Sequence, residues 1–306
     1  MRDLGLAPEL LKKLDQMAIV CRRMKAGRSQ GTRRSPKKGS SVEFADFRNY
    51  TRGDDLKRVD WNAYARLDRL FIKLFIEEQD VTLHVLVDES RSMRHDDAAK
   101  FTLGCQVAAA LGYVALSNYD RAAAGFLTEG LDCYYGPVTG KPSWRGLWSF
   151  VGERMDALEA QAARAEQPAP PSLTDLDRAL GQFASRRPVE GVTMVVSDLF
   201  CKGYQAGVRA LQAAGQEVAL LHVMSPQETA PGLSGELKLI DSETRSAREV
   251  SITPSLLRAY AQKVEAYSES VRQFCVSRGA TYVRIRSDEP AGQFISSGLR
   301  AAGLVR

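Results

Sequence analysis

Hydrophobic and polar positions change rhythm several times along the 306 residues. Leu6, Leu10, Leu11, Leu14, Met17, Ala18 and Cys21 recur at helical spacing, which predicts a helix within residues 4–24. Residues 25–41 hold Gly, Ser and basic side chains and almost nothing apolar, so they read as a loop. Burial resumes with Phe44, Phe47, Tyr50, Trp61 and Tyr64, and "RLFIKLFIEEQD" reads as a strand. From Val81 strands alternate with helices. Strands are predicted at Val81–Val87, Arg121–Leu127, Leu131–Tyr135 (a short edge), Gly191–Ser197, Glu217–Met224 and Thr281–Ile285. Helices are predicted at Asp97–Ser117, Ser143–Arg164, Asp175–Ala184, Gln205–Ala214 and Ser255–Ser277, and a β-hairpin around Ser242–Ser246. That alternation implies an α/β, doubly wound, mostly parallel sheet with helices on both faces. It divides the chain into residues 1–79 (helix, basic loop and a Gly-Asp-Asp/Asp-Trp segment) and residues 80–306 (the α/β domain with its C-terminal hairpin and helix). No internal repeat is visible.

The first strand of the alternating region ends unusually. "VTLHVLVDESRSMRHDD" passes from an apolar run to Asp88, Ser90 and Ser92 at every second position, with no Gly or Pro to make an ordinary turn. Ligands of such sheets sit beyond the carboxyl ends of the strands. Two more loops are expected at that edge. "PSLTDLDRAL" carries Thr174 and "GVTMVVSDLF" carries Ser197 and Asp198. Taken singly, each residue has an ordinary reading: a serine after a strand caps a helix, and Thr174 can do so with Asp177 three positions on. Taken together, Asp88, Ser90, Ser92, Thr174 and Asp198 form a set of hard oxygen donors without imidazole or thiolate, which favours Mg²⁺, or Mn²⁺, over Zn²⁺. Five side chains around an ion that prefers six ligands leave a position that a partner's Asp or Glu would suit.

Charge adds a second candidate region. The net charge is +5, but residues 1–79 hold 18 Lys/Arg against 11 Asp/Glu, and the remainder is slightly acidic. The excess peaks in "CRRMKAGRSQGTRRSPKKGSS". This arm lacks interleaved aromatics, so nucleic-acid stacking is not expected. It reads as a solvated arm, with an acidic protein partner or an anionic membrane surface as the other options. The five cysteines are scattered with no Cys-x-x-Cys, the N-terminus is too polar for a secretory leader, and no stretch reads as a membrane span. A cytoplasmic protein is expected.

The oxygen set and its upstream block carry a resemblance. Asp88-x-Ser90-x-Ser92, Thr174 and Asp198 are similar to the metal-ion-dependent adhesion site of von Willebrand factor A-type domains. "YTRGDDLKRVDWNAYARLDRLFIKLFIEE" resembles the signature of the bacterial family known as domain of unknown function 58, whose members carry this block before an A-type domain. The resemblance covers about residues 42–221, and more loosely the hairpin and helix beyond. It implies that Ser90 and Ser92 ligate the metal directly. Thr174 would do so directly or through water, and Asp88 and Asp198 mainly through waters or hydrogen-bonded hydroxyls. It also implies a non-enzymatic adaptor that works with a MoxR-type AAA+ ATPase in the assembly or activation of other proteins.

Two other functions compete. A metal-assisted hydrolase would use the same ion as a Lewis acid and needs a base, for which His95 is the nearby imidazole. A tether would act through the basic arm. "GRSQG" (Gly27–Gly31) matches a nucleophile elbow in letters but lacks the strand and helix around it. "GPVTGK" (Gly136–Lys141) is one residue short of a P-loop and is followed by Pro142, so no nucleotide site is expected. His84 and His222 lie in strand patterns and read as core residues. Trp61 reads as a packing anchor, Gly53 as a turn, and Asp54, Asp55 and Asp60 as caps or partners of Arg52, Arg58 and Arg66.

Overall fold

The computed structural model describes residues 7–21, 43–56, 59–76, 81–94, 99–164, 175–201, 203–240 and 247–306. The chain forms two compact units, one of Met1–Cys21 with Val81–Arg306 and one of Arg22–Asp80.

The larger unit is built on a six-stranded sheet in the order β10-β7-β6-β3-β4-β5. Its strands are β3 (Thr82–Asp88), β4 (Arg121–Leu127), β5 (Leu131–Thr139), β6 (Gly191–Ser197), β7 (Gln216–Met224) and β10 (Thr281–Arg286); β1, β2, β8 and β9 form two hairpins described below. All neighbours are parallel except β5, which returns antiparallel along β4. The expected mostly parallel α/β sheet is therefore present. Its antiparallel edge is longer than the sequence pattern suggests, because "YYGPVTG" reads as turn-rich yet continues the ladder to Thr139. Every residue of β3, β6 and β7 is buried. Successive side chains point to opposite faces, so complete burial means both faces are covered.

The covering helices divide between those faces. Helix α4 (Ala99–Ser117) is mostly apolar, with Lys100 its one charge, and sits on the side of Val87 and Val196. Gly104 permits this close approach, since a Cβ there would lie 3.0 Å from Val87 and 3.2 Å from Val196. Helices α6 (Leu176–Ser185), α7 (Gln205–Ala213) and α9 (Pro254–Ser277) share a core with Leu86, Val195 and Leu220 on the other side. Contrary to expectation, α4 is long and apolar enough to cross a membrane, but 83% of that apolar window is buried within this protein. Helix α5 (Trp144–Arg164) packs beside α4 and over β4 and β5.

The N-terminal helix is shorter than its periodicity. Helix α1 (Pro8–Leu14) ends at Asp15, and the chain then extends. Ala18 and Val20 bond the backbone of Arg306 and Leu304, so pairing with the C-terminus overrides a helical pattern that continues to Cys21. Near that end, β8 (Gly235–Ile240) and β9 (Ala247–Ile252) form the expected antiparallel hairpin, whose turn lies outside the described residues.

In the smaller unit, β1 (Glu43–Asn49) and β2 (Phe71–Ile76) form an antiparallel pair. Helix α2 (Trp61–Leu67) is capped by Asp60, which accepts from the N–H groups of Asn62 and Ala63. Gly53 turns the backbone at φ 109°. Asp54 pairs with Arg48 at 2.9 Å rather than with the expected arginines, because the turn at Gly53 folds it back onto β1. Trp61 is 57% exposed, and its ring meets Tyr64 of its own helix edge-on. Arg58 and the basic arm lie outside the described residues.

Gly191 opens β6 directly beside β3, and a Cβ there would fall 2.0 Å from the Thr82 carbonyl oxygen. Gly191→Ala is expected to force these strands apart and cost about 2–4 kcal/mol, read as a lower urea midpoint, whereas Gly181→Ala, with open space around it, should not destabilise.

Candidate functional site

The chain enters the sheet at β3, builds outward through β4 and β5, then returns to the other side of β3 with β6. The order therefore reverses between β3 and β6, and a crevice opens at their carboxyl ends. Asp88 is the last residue of β3, and Ser197 the last of β6, with Asp198 following.

The loop after β3 is tightly organised. Asp88 accepts from the Ser90 N–H at 2.8 Å through Oδ1 and from the Ser197 hydroxyl at 2.6 Å through Oδ2. The hydroxyl oxygens of Ser90 and Ser92 are 3.0 Å apart. Ser92 lies in the short turn of helix α3 (Arg91–Arg94). The next residue, Glu89, is fixed separately: Arg154 of α5 holds its carboxylate with both arms of the guanidinium, at 2.7 and 2.9 Å, and also meets Asp132.

The loop after β6 mirrors this economy. The Ser197 hydroxyl also accepts from the Leu199 N–H at 2.9 Å, and Asp198 Oδ1 accepts from the Phe200 N–H at 3.1 Å. Asp198 Oδ2 receives the ammonium of Lys100 at 2.7 Å, and that ammonium also meets Glu228. Glu228 lies in helix α8 (Pro226–Thr229) just after β7, where it forms a capping box with Ser225.

Four of the five expected residues, Asp88, Ser90, Ser92 and Asp198, thus come together at one sheet edge, each under a tenth exposed. Thr174 and His95 lie outside the described residues. The cap of α6 is Asp175, whose side chain accepts from the Arg178 N–H, so the capping role considered for Thr174 belongs to its neighbour. Burial first, and then the charge of Asp198, push the Asp88 carboxyl up to about 7. Burial would lower the Lys100 ammonium, but the charges of Asp198 and Glu228 outweigh it and hold the group charged.

This donor set fits a small hard cation. Two ligands at adjacent corners of an octahedron with bonds near 2.1 Å stand about 3.0 Å apart, which is the Ser90–Ser92 oxygen separation. A buried carboxylate that repels a second one is relieved by a cation between them. Among the described residues no three His, Cys, Asp or Glu side chains cluster as a metal site; this set is two carboxylates with hydroxyls.

Lys100 and Glu228 were not anticipated. The signal for Lys100 is that it is the sole charge in an otherwise apolar 19-residue helix; for Glu228 it is the Ser-x-x-Glu spacing. The two strand histidines are buried as expected. His84 bonds Tyr134 and the Val189 carbonyl, and His222 bonds Tyr282 through Nδ1.

The family described as "Protein of unknown function DUF58" matches residues 46–270. The uncharacterized proteins Rv1480 of Mycobacterium tuberculosis and Mb1516 of Mycobacterium bovis are each 25% identical over 287 residues, spanning 92% of this chain and 86% of theirs. Among solved structures, BatB from Bacteroides thetaiotaomicron is 14% identical and covers 73% of this chain and 98% of its own, with a TM-score of 0.37. An aerotolerance-related membrane protein from Bacteroides fragilis is 12% identical with the same coverage and a TM-score of 0.42. At these scores neither structure carries weight for fold or function.

Ser197→Ala should leave a buried Asp88 oxygen and the Leu199 N–H without their partner. A loss of about 1–3 kcal/mol is expected in chemical unfolding at neutral pH, with an unchanged denaturant slope.

Proposed function

This chain belongs to the DUF58 family, and from that premise we propose that it is a non-enzymatic, metal-dependent protein-binding adaptor with a von Willebrand factor A-like domain. The observation that carries the reading is the convergence of Asp88, Ser90, Ser92 and Asp198 at the switch point between β3 and β6, with the two seryl oxygens 3.0 Å apart. Ser90 and Ser92 would hold the ion directly, Asp88 would orient Ser90 and Ser197 around it, and Asp198 would add the second carboxylate. Thr174, which precedes α6 in the sequence, would complete the set. Mg²⁺, or Mn²⁺, supplies a positive charge that a partner's Asp or Glu can complete as the last ligand.

The chain's own residues favour binding over catalysis. The hydroxyl oxygens of Ser90 and Ser92 lie 3.0 Å apart, the spacing of two neighbouring ligands on one small ion. Only two carboxylates contribute charge to the ion, which leaves it attractive to a third. The family resemblance suggests a MoxR-type AAA+ ATPase as partner, and a cytoplasmic setting agrees with that.

The test is capture of the purified MoxR-type ATPase encoded nearest this chain's gene by the immobilised full chain. Retention in Mg²⁺ is expected to fall at least about tenfold in EDTA and equally with Asp88→Ala, a loss of more than 1.4 kcal/mol. Equal retention in all three conditions would remove the metal from the interaction; no retention in Mg²⁺ would remove that partner.

A further inference from the structure

Lys100 has no role in the binding reaction just described, yet it is the least expected charge in the protein. The residue is 2% exposed, on a helix with no other charged residue. Burying an ammonium is costly unless it is well paired. Its pairing is specific: Asp198 Oδ2 lies 2.7 Å from Nζ, and Glu228 Oε1 closes on the same nitrogen. The face of Phe200 lies 5.5 Å away. Asp88 is not among its partners.

The two carboxylates differ in how they are held. Glu228 is locked by backbone chemistry: its Oε2 accepts from the Ser225 N–H at 2.7 Å, while the Ser225 hydroxyl accepts from the Glu228 N–H. Asp198 lies among the candidate ligands, its other oxygen accepting from the Phe200 N–H. A lysine that served only to neutralise Asp198 would need no second carboxylate. With Glu228 fixed beside it, the ammonium keeps one anionic partner when Asp198 turns toward another cation.

We infer that Lys100 is a tethered cation that competes with a divalent ion for Asp198, and that Glu228 holds its ammonium when the ion binds. This rests on the metal-binding reading above. The site would then fill only when the ion outcompetes an internal charge, so Lys100 and Glu228 set its affinity.

The experiment is Mn²⁺ binding to the full-length chain, followed by electron paramagnetic resonance of the free ion. The samples are wild type, Lys100→Met, Glu228→Gln and the double variant, each checked for a cooperative thermal transition. Lys100→Met should bind Mn²⁺ at least about tenfold more tightly, because a unit positive charge next to Asp198 is removed. Glu228→Gln alone should weaken binding at least about threefold by returning the ammonium to Asp198. In the Lys100→Met background the same change should have little effect, since no ammonium remains to be held.

Equal Mn²⁺ affinity of wild type and Lys100→Met overturns the competition while leaving the metal site standing. Equal weakening by Glu228→Gln in both backgrounds reduces Glu228 to a distant charge and overturns its holding role. Absence of Mn²⁺ binding in every folded variant removes the metal reading and this inference together. If Lys100→Met does not fold, Glu228→Gln decides alone: unchanged affinity overturns the inference.

Discussion

Two carboxylates brought close together out of water repel each other, and the surroundings of Asp88 and Asp198 are organised around that repulsion. The sheet creates it, by ending β3 and β6 side by side at the point where strand order reverses. Hydrogen bonds contain part of it: Ser90 and Ser197 donate to Asp88, and the Phe200 N–H donates to Asp198. Lys100 neutralises Asp198 from the helix above the sheet. Asp88 has no cation beside it among the described residues, and burial first, then the charge of Asp198, raises its affinity for a proton.

The scaffold that holds these groups is stiff where it needs to be. Helix α4 lies close on Val87 and Val196 through Gly104, so the two strand ends and Lys100 share one packed layer. Glu89 is clamped to α5 by Arg154, which pins the loop that carries both serines. Neighbouring carboxylates therefore have separate duties. Asp88 faces the crevice, and Glu89 secures the loop that builds it.

Much of this was legible in the chain. The apolar runs of β3, β6 and β7 announce a sheet buried on both faces, and Asp-x-Ser-x-Ser at the end of the first run marks where chemistry departs from packing. The edge was less legible, because β5 continues through Gly136 and Pro137, residues that ordinarily signal a turn. Helix α1 was overread because Ile19 pairs with Val305, a contact across almost the whole chain that local periodicity does not encode. Lys100 was missed for a similar reason. Its partners lie 98 and 128 residues away, and only folding reveals that an isolated lysine on an apolar helix faces two carboxylates.

A divalent cation in the crevice between β3 and β6 would be visible directly. The most direct measurement is anomalous X-ray scattering from crystals of the full chain grown in Mn²⁺. A peak is expected within coordination distance of both the Ser90 and Ser92 hydroxyl oxygens, with the Lys100 ammonium withdrawn toward Glu228. A map at saturating Mn²⁺ with no peak there, and Lys100 still bound to Asp198, would contradict the metal-binding reading.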